Sequence, residues 1–196
     1  MKTVLIGAGV LIGIFVIFQI YLIIITNPSE SYNLVKSKET FEIRYYPLIT
    51  TAVISSSTKS YKDLGSIGFS KLANYISGAN KENVHIAMNA PIYMDIGEST
   101  STMSFIMPTK YTKEDIPTPN DTNIVIKVTA GEHVAAIRFA GFASDEKIRQ
   151  KIKIFKNILQ KQGYSYYGNF RFLSYNRPYQ LFNRRNEIIV SVGSWN

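Results

Sequence analysis

Hydrophobic positions run along this chain in two different ways. From Val4 to Ile25 they are continuous: no charged side chain interrupts them, and Gln19 and Tyr21 are the clearly polar members. At about 1.5 Å per residue, a helix over this stretch is roughly 33 Å long, enough for a hydrocarbon core of about 30 Å. Every face of that helix is apolar, so it has no polar side to turn to water. The run exceeds the apolar region of a cleaved signal peptide (about 7–15 residues), and its exit, Ile23-Ile24-Ile25-Thr26-Asn27-Pro28, offers no small-residue cleavage pair. Residues 1–27 therefore read as an uncleaved signal anchor that crosses a membrane once, followed by a Ser-, Asn- and Lys-containing linker over 28–38. With Lys2 ahead of the run, the expected orientation leaves the N-terminus in the cytoplasm and the domain on the non-cytoplasmic side.

Beyond the linker the pattern becomes periodic. Two strand-like runs, 41–46 and 51–54, precede a helix predicted at about 65–77, in which Phe69, Leu72, Ala73 and Ile76 recur at i, i+3, i+4, i+7. Gly78 stands at its C-terminal cap. Strand-like runs follow at 84–94 and 102–107. A second stretch repeats the order: runs at 124–128 and 133–139, a helix at about 144–162, then runs at 169–175 and 187–192. Ser144 suits the N-cap of that helix and Asp145 and Glu146 its first turn. Ile148, Ile152, Phe155, Ile158 and Leu159 form its inner stripe. Strand-strand-helix-strand-strand thus occurs twice, by pattern and not by residue identity. The expected fold is α+β: a duplicated unit forming a curved antiparallel sheet or barrel with two outer helices, plus one N-terminal transmembrane helix. A cleft between a helix and the sheet edge is the expected ligand site.

Composition narrows the chemistry. The 196 residues contain no cysteine, which excludes disulfides, zinc–thiolate sites, Fe–S clusters and thiol catalysis. Two histidines, His85 and His133, stand far apart and read as satisfied or surface groups, which argues against a multi-histidine metal site. The net charge of +8 is concentrated in Lys147, Arg149, Lys151, Lys153, Lys156 and Lys161, the solvated face of the second helix. No nucleic-acid motif accompanies it. No Ser-His-Asp order, carboxylate pair or phosphate-cradling loop points to an enzyme.

Several segments resemble, in order, the signature stretches of the SOUL haem-binding family. They are Phe41-Glu42-Ile43-Arg44-Tyr45-Tyr46-Pro47, the helical stretch Gly68 to Asn80, Ile86-Ala87-Met88-Asn89-Ala90-Pro91-Ile92, Met103 to Pro108, Tyr175-Asn176-Arg177-Pro178 and Arg184 to Ile188. The similarity covers nearly all of a domain at 39–194. It implies a duplicated barrel-like fold and non-covalent binding of haem or another porphyrin, in a cleft bordered by the first helix of the domain and the loop before the last strand.

For a tetrapyrrole, that helix would supply Phe69, Leu72, Ala73 and Ile76, and the late loop Tyr175, Pro178, Tyr179, Leu181 and Phe182. Family members best known for haem binding carry basic residues where this chain has Ser66, Asn74 and Gln180, all uncharged. Lys71 and Arg177 lie nearby and are the substitutes to test, while Arg184 and Arg185 read as structural pairs for the last strand. A histidine proposed as axial ligand in some members aligns with Tyr45, and tyrosine can ligate ferric haem. The implied function is haem carriage, buffering or delivery at a membrane. Removal of the metal from the ring, or a sensor or interaction domain without haem affinity, are the alternatives.

Overall fold

The computed structural model describes residues 2–25, 32–176 and 179–193, with backbone alone for 2–9 and 23–25. Its elements are α1 (Lys2–Ile25), β1 (Asn33–Ser37), β2 (Glu42–Tyr46), β3 (Ile49–Ser56), α2 (Tyr61–Ile76), β4 (Ile92–Ile96), β5 (Ser101–Ile106), β6 (Ile124–Thr129), β7 (Glu132–Ala140), α3 (Asp145–Lys161), β8 (Tyr166–Ser174) and β9 (Arg185–Val192). The strands form one antiparallel sheet in the order β1-β2-β7-β9-β8-β4-β5-β3-β6. β1 and β6 each have one neighbour, so the sheet curves as an open half-barrel. The linker expected at 28–38 is corrected in part: residues 33–37 pair with β2 as an edge strand. The strand expected to begin at Val84 begins at Ile92. The buried Asn80 side chain grips Val84 at both its carbonyl (2.7 Å) and its N–H (2.9 Å), and Pro91 brings no N–H to a ladder. A helix stands over the uncharged N-terminal run. Counted on described side chains alone, residues 10–22 of α1, no helix is long and apolar enough to cross a membrane.

The duplication is present, with its first strands exchanged. β3, β5 and β4 carry α2 on one face, as β7, β9 and β8 carry α3. The two units join along β4 and β8. The strand that opens each half completes the other: β2 pairs with β7, and β6 with β3. The main core lies between helices and sheet, with Leu64, Leu72, Tyr75, Ile148, Phe155 and Leu159 facing Ile54, Met103, Phe105, Ile137, Ile188 and Val190. α2 can approach closely because Gly68 faces the sheet: a Cβ there would lie 3.0 Å from Met103 Sδ and 3.1 Å from Ile54 Cγ2. The lysines of α3 stay outside; Lys147, Lys151 and Lys156 lie against the rings of Phe139 and Phe170.

The sheet face turned away from the helices holds a second, partly polar core. Glu187 is wholly buried there. Arg44 grips it with two donors at 2.6 and 3.1 Å, Arg185 Nε donates at 3.0 Å and the Tyr175 hydroxyl at 2.8 Å. The Tyr32 ring covers Arg44 at 4.1 Å. Burial pushes the Glu187 carboxyl up, but the hydrogen bonds and charge of Arg44, then the charge of Arg185, outweigh it and hold it below its ordinary value. Glu132 is lowered in the same way by Arg171, which it binds at 2.6 and 2.9 Å.

A carboxylate depressed in the folded state contributes stability that is complete above its unfolded value and is lost as pH falls through the folded one. Urea unfolding should therefore show stability falling as pH drops below about 4.5. Glu187→Gln removes the buried countercharge shared by Arg44 and Arg185, leaving Arg44 only its pair with Glu42 at the surface, a change that costs about 3–5 kcal/mol in such sites. Its urea midpoint should be lower at pH 7 and should fall less than wild type on acidification.

Candidate functional site

Both domain helices begin at the same place. Ser60 caps α2, its hydroxyl accepting from Asp63 N–H at 3.1 Å, and Ser144 caps α3 by accepting from Lys147 N–H at 3.2 Å. The starts are tied together: Lys62 N–H donates to Asp145 Oδ1 at 3.1 Å. Beside them opens a cleft of about 370 Å³. Tyr61, Lys62 and Gly65 of α2 line one side, and Phe142 through Asp145 with Ile148 line another. Met94, Phe172, Ser174 and Asn186 of the sheet form the floor, and Arg184 closes it from the loop before β9. The volume lies within the range of about 300–1,000 Å³ usual for small-molecule pockets.

The walls are held firmly. Tyr61 meets Phe172 edge-on at 5.8 Å. Its hydroxyl is pushed up to about 12 by burial and then by the charges of Asp95 and Asp145, so it stays a neutral phenol at neutral pH. Lys147 Nζ donates to the carbonyls of Ala140 (2.9 Å) and Phe142 (3.2 Å), and Asn186 donates to the Gly141 carbonyl at 2.7 Å. Arg184 donates to the Gln180 carbonyl at 2.6 Å, with its guanidinium 4.6 Å above the Phe142 ring. Burial lowers the Arg184 guanidinium from its ordinary value, yet arginine remains cationic. Apolar and aromatic walls, two cations and two helix N-termini suit a flat apolar ligand bearing carboxylates. The cleft offers neither imidazole nor thiolate, and among the described residues no group of His, Cys, Asp and Glu could hold a metal.

Two other hollows fit such a ligand less well. One, of about 180 Å³, is half the size of the cleft; it presents Asp95 and Glu132 with Lys127 and Arg171, and the Arg171 guanidinium is already paired with Glu132. The other, of about 600 Å³ beside β1 and β2, has a mostly polar lining: Arg44 and Arg185, already engaged with Glu187, and Lys38 and Arg138 beside the carboxylates of Glu39 and Glu42.

The expected site residues distribute differently. Leu72 and Ile76 are buried in the main core, and Phe69 packs edge-on against Phe105 at 5.6 Å. Ala73 is half-buried and outside the cleft walls. The stripe that gave α2 away is the stripe that packs on the sheet, and the cleft takes the flank of its first turn. Lys71 pairs with Asp121 at 3.3 Å. Tyr175 is buried on the opposite sheet face, because strand side chains alternate and it shares parity with Leu173. Tyr45 meets the His133 ring at a tilt, centroids 5.0 Å apart, away from the cleft. Ser66 and Asn74 are exposed, and Gln180 is buried, donating to the Phe182 carbonyl at 3.0 Å. Arg177 and Pro178 lie outside the described residues. Tyr179, Leu181 and Phe182 are exposed on the late loop. The residues the sequence reading passed over are Tyr61, Lys62, Met94, Phe142 and Arg184. For Arg184 a signal existed: adjacent strand residues face opposite ways, so only one of Arg184 and Arg185 can meet Glu187.

Residues 27–191 match the family model described as SOUL heme-binding protein. The chain belongs to the SOUL haem-binding protein family. Two relatives called heme-binding protein 2, from Mus musculus and Homo sapiens, are each 30% identical over 156 residues, spanning 76% of this chain and 76% of theirs. In fold this SOUL protein is similar to the EcmrR C-terminal domain, with a TM-score of 0.61 at 10% identity over 84% of this chain and 99% of that one. A hydrolase from Listeria innocua shares the fold at a TM-score of 0.55 and 9% identity, over 81% and 94% of the two chains.

Gly65 gives a direct test of the SOUL domain's cleft. A Cβ there meets only Met94 Cε, at an ordinary 3.6 Å. Gly65→Leu should fill the cleft while raising helix stability by about 0.5–1 kcal/mol. Thermal melting should be unchanged or higher, and hemin affinity should fall on the order of tenfold, about 1.4 kcal/mol.

Proposed function

We propose that this protein is a membrane-anchored, non-enzymatic carrier of haem or a related tetrapyrrole, bound non-covalently in the cleft between the start of α2 and the loop before β9. The observation that carries the reading is the pairing, in one SOUL-family cleft, of apolar walls with two cations from different elements, Lys62 and Arg184. Tyr61, Phe142, Ile148 and Phe172 would pack on the ring, and Lys62 and Arg184 would hold its propionates. Non-covalent retention agrees with the absence of cysteine from the chain.

Anchoring is supported by α1. It is a helix of 24 residues, and its sequence from Val4 to Ile25 contains no charge. A helix of that length and composition is most stable in a bilayer. Lys2 favours a cytoplasmic N-terminus, which places the domain on the other side.

The test is a hemin titration of the detergent-purified chain. A saturable Soret shift at micromolar hemin is expected. A charge-assisted hydrogen bond contributes about 1.5–3 kcal/mol, so Lys62→Ala with Arg184→Ala should weaken binding by at least on the order of tenfold. Lys71→Ala, at the ion pair with Asp121, should leave it unchanged. The cleft lacks imidazole and thiolate and Tyr61 is held as a neutral phenol, which leaves the Met94 thioether as the remaining candidate iron ligand in the wall. With apolar packing and the propionate contacts carrying the affinity, metal-free protoporphyrin should bind within a few-fold of hemin. Absence of saturable binding, or a double variant that binds like wild type, would overturn the assignment.

A further inference from the structure

Gln19 is, with Tyr21, one of the two clearly polar side chains of the run from Val4 to Ile25, and it is only 3% exposed. Its amide is spent on the loop before β9: Leu181 N–H donates to Gln19 Oε1 at 2.9 Å, and Gln19 Nε2 donates to the Tyr179 carbonyl at 3.3 Å. Phe18 stacks on Tyr179, ring centroids 6.3 Å apart. A loop in water has its backbone groups satisfied by solvent. A loop in lipid must have them satisfied by protein. Here α1 satisfies one donor and one acceptor with a single side chain.

The loop's own side chains point to the same surroundings. Tyr179, Leu181 and Phe182 are exposed by 49%, 42% and 58%, three large apolar side chains flanking the buried Gln180 in sequence. Phe142, 57% exposed, stands at the cleft beneath the Arg184 guanidinium, and the same Arg184 donates to the Gln180 carbonyl of the loop at 2.6 Å. Tyrosine, with its amphipathic ring, is enriched at membrane interfaces, and Tyr179 is such a residue. Depth agrees as well. Ile25 ends α1 about 9 Å beyond Gln19 along the axis, which places the contact in the outer part of a hydrocarbon layer about 30 Å thick.

We propose that the loop at 179–182 is seated in the outer layer of the bilayer beside α1, and that the cleft mouth at Phe142 and Arg184 opens onto the lipid surface. Tetrapyrroles, which are amphipathic, are then exchanged between cleft and bilayer without crossing bulk water. The proposal rests on the anchor reading above. It adds that the domain is fastened to the membrane at a second point and in a set orientation.

Single-tryptophan variants of the full chain test this in vesicles of phosphatidylcholine with brominated acyl chains. In a Trp195→Phe background, tryptophan is placed by Phe15→Trp in α1, by Phe182→Trp in the loop, or by Tyr167→Trp at the far end of β8. Phe15→Trp and Phe182→Trp should lose most of their emission, the loop probe more strongly to shallow than to deep bromines. Tyr167→Trp should keep its emission. A quenched α1 probe with an unquenched loop probe would overturn the proposal and leave the anchor standing, as would a loop covered by a second copy or another protein. Two unquenched probes would remove both. Equal quenching at 182 and 167 would mean general adsorption and would also overturn it. Gln19→Leu keeps α1 apolar but cuts the tie; it should reduce quenching at 182 and leave that at 15 intact, and undiminished quenching at 182 would overturn the coupling.

Discussion

The late half of this protein is organised around one carboxylate. Glu187 has no contact with solvent and must be neutralised where it stands. Its partners come from three places: Arg44 on β2, Arg185 on β9 itself, and Tyr175 at the end of β8. That arrangement sets the phase of β9. With Arg185 and Glu187 on one face, Arg184 and Asn186 must take the other, and both line the cleft. The buried ion cluster therefore decides which of two neighbouring arginines is available to a ligand. It also locks Tyr175 and so fixes where the late loop leaves the sheet.

The duplication places the cleft. Each half keeps its helix over its own three strands and lends its first strand to the other half. Because β4 and β8 meet at the junction, the starts of α2 and α3 converge above it, and the Lys62 N–H to Asp145 contact marks the meeting point. Two helix N-termini beside an apolar floor make a setting that favours negative charge at the rim and a flat apolar body within. Neither half alone contains such a place.

The late loop then links two regions that are remote in sequence. On one side it contributes Arg184 to the cleft, and on the other it meets Gln19 and Phe18 of α1. Ligand cleft and N-terminal helix therefore share a single short segment as their common boundary.

By itself the sequence determined the elements whose signal is local. The inner stripe of α3, with Ile148, Phe155 and Leu159 buried, follows from helical periodicity, and Ser144 from the chemistry of an N-cap. The repeated order, the solvated lysines of α3 and the family resemblance were equally legible. The start of α2 was missed although local signals mark it: Ser60-x-x-Asp63 is a capping pattern and Tyr61 and Leu64 extend the buried stripe, but Gly65 and Gly68 interrupt the helical run there. Only the tertiary structure decided where the candidate site lies. Periodicity identifies the side of α2 that packs, and Phe69, Leu72 and Ile76 are on it; the candidate cleft takes the flank that packing leaves over. Which side of β9 Arg184 faces, which strands are exchanged and where α1 meets the loop depend on contacts between residues far apart in the chain, and no local pattern encodes them.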